Sequence, residues 1–366
     1  MHLPKISFYF IFFFTFCVNS YARDKSYLPL GDGYISSSGQ VGRIFSCQTN
    51  FTGSSISKNS DWIVGDKWKA DDKPVAKGSI NWPNRVFSVK VEGATRVIKS
   101  NNLPNHPSGT FPIDSLSSTY DFDTNPNSVK KQSIVFNIPA NPKLAPQPSC
   151  VPMGMIGIAL SGVAIFNGLD GQGLDAAAHE IQDSCNGHPD HQGAYHYHNM
   201  SPCMKDGGGK KGKHSDLVGY IADGFGIYGP YGENGKALNN KDLDACHGHT
   251  HFILFDGMPQ NIYHYHFTNE YPYTIGCFRG EVTNKIKSIM PAQQDGPWPN
   301  KKMEAISPED HQRILQKVAQ ELKIDAKDLR QVLGAPPLDF FDASQKLGVD
   351  EERLRESFRN ARKTMQ

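Results

Sequence analysis

The chain lacks most of the short signatures that announce a chemistry. It contains no His-Glu-x-x-His, which removes the commonest zinc-protease pattern, and no Gly-x-Ser-x-Gly, which leaves a serine hydrolase without support. No Cys-x-x-Cys occurs, which weighs against cysteines acting as metal thiolates. Charge of either sign is not in excess: the formal net charge is +1 with charged residues at 20%. No global field therefore favours nucleic acid or an anionic membrane. After residue 22 no apolar run is long enough for a membrane-spanning helix. Gly207-x-x-x-x-Gly212-Lys213 fits most of a phosphate loop, but His214 stands where a magnesium-binding hydroxyl belongs, and no strand precedes it. The segment reads as an exposed loop. Asp170 to Asp175 lacks the acidic spacing of an EF-hand and reads as a turn.

Glycine and proline, by contrast, are plentiful at 34 and 24 residues, and suit many short strands better than long helices. Lys5, the apolar run Ile6 to Val18 and the small residues at Ser20 and Ala22 form a secretory signal with cleavage expected after Ala22. The mature chain is then secreted or periplasmic. Removing the signal removes Cys17 and leaves six cysteines in an oxidising compartment.

Histidine is where the chain is unusual. Ten of its 14 histidines fall between His188 and His266, within a duplicated pattern. Asp183-Ser-Cys-Asn-Gly-His188 precedes Tyr195-His-Tyr-His198 and Cys203. Asp244-Ala-Cys-His-Gly-His249 precedes Tyr263-His-Tyr-His266 and Cys277. The repeat suggests disulfides Cys185–Cys203 and Cys246–Cys277, which leaves Cys47 for Cys150.

In a strand, residues two apart share a face. His247, His249 and His251 are expected on one face of a strand, and His264 and His266 on the next, with Tyr263 and Tyr265 opposite. If Phe255 pairs with Gln260, His251 faces His264 and His249 faces His266. In the first repeat His196 and His198 alternate likewise, and His188 and His191 approach through the Pro189-Asp190 loop. The first copy is expected to be the more open or mobile half. The metal ligands anticipated are His188, His196, His198, His249, His251, His264 and His266. Neutral imidazoles aimed together suit zinc, copper or nickel, and zinc or copper is the expectation. An isolated histidine is usually a hydrogen-bonded core residue, but that reading must also account for the duplication. The tyrosines are expected to pack inward, their hydroxyls reaching second partners such as a free histidine ring nitrogen. Asp223, Glu180 and Asp183 are the candidates for acid–base catalysis.

The remaining order is β-rich. Strands are expected at Trp62–Val64, Val86–Val91, Thr95–Ile98, Ser133–Ile138 and within Met153–Phe166, with a proline-rich extended connector at Asn141–Pro152. A mainly β, antiparallel sandwich or barrel-like, disulfide-braced domain over 23–300 is followed by a small all-α appendage. There two related helix–turn–helix units span 305–364, capped at Asp325 and Asp350 and joined at Ala335-Pro336-Pro337. This appendage has no basic stripe, which argues against nucleic acid and leaves a protein partner as its expected contact.

The paired Tyr-His-Tyr-His, the Cys-x-Gly-His elements and Asp223-Gly-Phe-Gly-Ile-Tyr-Gly-Pro230 resemble the YHYH family of exported proteins over about residues 100–280. That resemblance implies a mostly β domain with a metal centre, and no particular reaction. A metalloenzyme, a non-catalytic envelope metal carrier and a structural or interaction protein with a closed metal site are the three readings carried forward.

Overall fold

The computed structural model describes residues 27–51, 60–204, 212–282, 308–333 and 340–363. The signal-like segment and most of the Gly/Lys-rich loop lie outside them. The architecture is mostly β, with sheets that do not close into a barrel and a small helical C-terminal region.

The centre is an eight-stranded sheet. Its strands are β1 (Met155–Ala159), β2 (Ala164–Phe166), β3 (Gly187–Pro189), β4 (Tyr195–Tyr197), β5 (Leu217–Ile221), β6 (Gly226–Tyr228), β7 (Gly248–Phe255) and β8 (Met258–His266). The spatial order β3-β4-β2-β1-β5-β6-β8-β7 reads the same way outward from the antiparallel β1–β5 contact. On each side a bulged hairpin, β1–β2 or β5–β6, pairs in parallel with the tetrapeptide strand, which pairs antiparallel with the Gly-His strand. Pairs correspond individually: Ile158–Ala164 matches Tyr220–Gly226, and Gly157–Ile165 matches Gly219–Ile227. The turn glycines also match, with φ +91° at Gly162 and +93° at Gly224. The duplication thus reaches back to Met155 and has pseudo-twofold symmetry, which the histidine pattern alone did not reveal.

Burial drives this arrangement. β1 and β6 are buried throughout, and Ile156, Ile158, Ile165, Ile221, Ile227 and Phe267 lie in one core. An antiparallel three-stranded sheet (Phe87–Glu92, Thr95–Ser100, Ile134–Pro139) contributes Ile98, Phe136 and Ile138 to that core. Its Arg96, 1% exposed, pairs with Asp256 in the β7–β8 turn, with its guanidinium over the Tyr220 ring. Leu144–Ser149, expected as a connector, is a strand on Phe278–Gly280. Its prolines are tolerated in this short two-stranded ladder because a residue whose N–H points away from the partner has no bond to lose.

Three disulfides brace the domain: Cys47–Cys150, Cys185–Cys203 and Cys246–Cys277. The last two each enclose one tetrapeptide. Among the described residues no helix is long and apolar enough to cross a membrane.

Helix α1 (Ala176–His179) is capped by Asp175, which accepts from the Ala178 N–H. The C-terminal helices are α2 (Pro308–Leu322), α3 (Ala326–Leu333), α4 (Phe340–Leu347) and α5 (Glu351–Lys363). Asp325 and Asp350 accept backbone N–H groups at the starts of α3 and α5. The helices bury Leu315, Val318, Leu329, Leu354 and Phe358 together with Leu116 from the β domain. Arg355, 1% exposed, donates to Asp121 and to the Leu116 carbonyl. The helical region therefore has a partner within its own chain.

Candidate metal centres

Each Asp-x-Cys-x-Gly-His element builds the same small scaffold. Asp183 accepts from the N–H groups of Cys185 and Gly187, and Asp244 does the same for Cys246 and Gly248. The turn leaves Asn186 and His247 in the left-handed region, at φ +57° and +74°. His247 therefore does not continue the β7 alternation. Its ring turns away to Thr268 Oγ1 at 2.9 Å, and burial pushes its pKa down to about 3. The glycine that follows is required by a ring: a Cβ on Gly187 would lie 2.1 Å from the Tyr195 ring, and one on Gly248 2.4 Å from the Tyr263 hydroxyl.

Three of the four tyrosines hold carboxylates, and Tyr197 meets the ring of His106, which lies outside both histidine groups. Tyr195 donates to Asp183 at 2.7 Å and Tyr263 to Asp244 at 2.9 Å. The second tyrosine of each copy meets a matched position on the hairpin turn: Tyr197 bonds Ser161, and Tyr265 donates to Asp223. Asp183 also accepts from Gly109 N–H, and Asp223 from the N–H groups of Phe225 and Gly280. Two of the three candidate acids are thus engaged by main-chain and tyrosine donors.

The histidines lie on the opposite face of these strands. Pairing runs His188–His196–Ala164–Ile158–Tyr220–Gly226 across six strands, and His249 faces His264 while Tyr228 faces His266. Both histidine groups consequently sit on one face of one sheet, at its two ends. The register in β7–β8 differs from expectation: Phe255 pairs with Met258, so His249 opposes His264 and His251 opposes Ile262. The Asp256-Gly257 turn, with φ +52° and +79°, uses two residues where four were counted. Because the slip is two residues, every side chain stays on the expected face.

The first group joins His188, His196 and His198; the second joins His249, His251, His264 and His266 with His214. Within each group the ligand atoms lie within 4.8 Å of one another. His191 stands apart from the first group and is exposed. His214 carries no sequence signal, because it lies in a glycine- and lysine-rich loop with no periodicity. The first group is the closed one: its three rings are each 3% exposed, whereas His214, His249 and His251 are half-buried. The expectation of an open first half is thus reversed: both groups lie at a sheet edge, but β3 and β4 are buried throughout whereas β7 alternates between buried and exposed residues.

Hydrogen bonding fixes the ring nitrogens. His196 Nδ1 meets the Ala194 carbonyl at 3.0 Å and His198 Nδ1 the Asn167 carbonyl at 2.5 Å. A carbonyl only accepts, so both Nδ1 atoms carry a proton, and each ring in its neutral form presents an Nε2 lone pair. Those two Nε2 atoms are 3.0 Å apart. The second group repeats this, His264 on the Ile262 carbonyl and His266 on that of Gly229, with His251 and His214 also held by carbonyls. His249 Nε2 lies 3.1 Å from the Nε2 atoms of both His266 and His251. Four donors around an ion at 2.0–2.1 Å are separated by about 3.3 Å in a tetrahedron. The buried Nε2 atoms of His214 and His264 have no hydrogen-bond partner, and that of His188 has only an unaligned contact with Glu180. The donor set therefore fits a borderline transition metal.

Electrostatics keep most of these rings neutral. Burial, reinforced by neighbouring rings, lowers His264 to about 2 and His249 to about 4, and holds His266 and His196 well below the ordinary range. The first group has a carboxylate, and there the balance changes. Glu180 Oε2 lies 3.3 Å from His188 Nε2 and 3.2 Å from His198 Nε2. Burial opposes its charge, but these two rings carry the Glu180 carboxyl well below its usual value, and Glu180 in turn raises His188 against burial. A proton on His188 satisfies Glu180 without placing anything between the His196 and His198 Nε2 atoms. Glu180 is placed just past α1 by Lys73, whose ammonium donates to the Ala177 and Glu180 carbonyls. A cavity of about 890 Å³ beside this segment is lined by Lys73 and Asp183 but by none of the grouped histidines.

The fold and site define a disulfide-braced β protein with duplicated histidine clusters able to hold metal ions. Residues 135–238 match the model of the YHYH protein family. The matched stretch includes the first tetrapeptide and His214 and ends before the second tetrapeptide. No curated protein and no solved structure matches the chain.

Proposed function

We propose that this is an exported metal-binding protein whose two repeats each hold a transition metal ion, zinc or copper, through a histidine triad. The triads are His188, His196 and His198, and their counterparts His249, His264 and His266. The observation that carries this reading is the opposed pair of Nε2 lone pairs at His196 and His198, 3.0 Å apart with both Nδ1 protons already committed to carbonyls. Two buried acceptors in contact are costly unless a cation lies between them. Three disulfides and the N-terminal signal pattern favour an oxidising compartment outside the cytoplasm. The primary role is holding the ion; of the candidate acids, Glu180 alone faces the imidazoles, and it touches them as a ligand would.

Elemental analysis of the full chain, purified without chelator, tests this directly. Wild type carries about two ions per chain by this reading, and His196→Ala with His198→Ala, or His264→Ala with His266→Ala, removes about one each. A folded, metal-free wild type that also refuses added zinc and copper rejects the proposal.

A further inference from the structure

The triads correspond ring for ring, so any difference between the centres comes from the donors added to them. The first adds Glu180, whose Oε2 is within 3.3 Å of two triad nitrogens and has no aligned hydrogen bond. Three imidazoles and one carboxylate, the latter against His188 and His198, make a set of four with one negative charge, the composition of a tetrahedral zinc site. All three rings are sealed from solvent at 3% exposure each.

The second centre adds no carboxylate within its group. Glu233 reaches only His251 Nδ1, on the far side of that ring, at 3.7 Å. It adds instead two imidazoles that the first repeat lacks, His251 from the edge strand β7 and His214 from the segment before β5. Five nitrogens exceed what a tetrahedral ion uses, whereas a tetragonal ion such as copper(II) takes four in a plane and a fifth along the axis. Three of the five rings are only half-buried, so an incoming ligand can reach the ion and displace the rings one at a time.

We propose, on the basis of the metal-binding reading above, that the two centres are specialised for different ions. The first retains a zinc-class ion with Glu180 as its fourth ligand; the second binds a copper-class ion that exchanges with solution, using His251 and His214 as added ligands.

The test supplies the metal-free full chain with equimolar zinc(II) and copper(II), removes the excess, and measures metal content, the copper(II) paramagnetic resonance spectrum and release to a chelator. About one zinc and one copper per chain are expected, with nitrogen hyperfine structure on the copper signal and copper leaving at least about tenfold faster than zinc. Glu180→Gln accelerates zinc release by about tenfold or more and leaves the copper spectrum unchanged. His214→Ala with His251→Ala changes the copper spectrum and leaves zinc retention unchanged. The wild-type competition needs no variant, so misfolding of a variant does not remove the test. Two like ions bound per chain, or equal release rates, overturn the specialisation while leaving metal binding intact. A folded chain that takes up neither ion overturns both.

Discussion

At the scale of single residues the chain separates two jobs that alternate along each tetrapeptide. Tyrosines point to one face and lock the turns through bonds to Asp183, Asp244, Ser161 or Asp223; histidines point to the other with Nδ1 tied to a carbonyl. The neutral state imposed on the second group makes stability depend on pH. His249 and His264 are lowered to about 4 and about 2 in the folded chain, by burial first and then by the neighbouring His251 and His214 rings. Unfolded, they titrate near 6.5. Between those values the unfolded state binds more protons, so stability is full above pH 6.5 and falls as pH drops toward 4 and below. Glu180, depressed by His188 and His198, adds to the loss on the acid side; His188, raised by Glu180, acts in the opposite sense. The melting temperature of the metal-free protein should therefore fall steadily between about pH 7 and about pH 4.5, and bound metal should flatten that slope. An unchanged melting temperature over that range would contradict the assignment of neutral rings.

At the scale of elements, the motif's glycine is as necessary as its histidine. Gly187→Ala places a methyl group against the Tyr195 ring, which is itself fixed by Asp183. We expect a loss of at least about 2 kcal/mol in chemical denaturation and loss of the ion from the first centre alone. A variant of wild-type stability would show that the ring yields. Much of this level was legible beforehand. The period-two histidines gave the common face, the repeat gave the disulfides, and the aspartates gave the caps of the C-terminal helices. What escaped was set by local backbone geometry. The Asx turn at Asp244 rotates His247 out of the strand, and the two-residue Asp256-Gly257 turn shifts the hairpin register. Parity survived because side-chain direction repeats every two residues. Glu180 was visible as an acid beside the first repeat, but its backbone is held by Lys73, more than a hundred residues away in sequence. His214 had no pattern to betray it.

At the scale of the whole molecule, the C-terminal helices are joined to the β domain through Leu116 and through Arg355 with Asp121. Arg355→Ala removes the buried cation from this contact. Limited proteolysis should then separate the helical region from the β domain several-fold faster, with metal content unchanged. Cleavage at the wild-type rate would mean that apolar packing alone holds the helices. Neither the symmetry of the sheet nor the contact that holds these helices could be read from the chain, because each depends on pairings between distant segments.

The pseudo-twofold through the β1–β5 contact also bears on ancestry. A lone half of this sheet would expose β1, and the surface β1 meets is its own counterpart, so one half carries what it needs to pair with a second copy of itself. Such a self-paired assembly must keep its two centres identical, since any substitution in one appears in the other. Joining the copies in a single chain lifts that constraint. The two halves do differ: one sets a carboxylate beside a buried histidine group, and the other adds two rings to a half-exposed one.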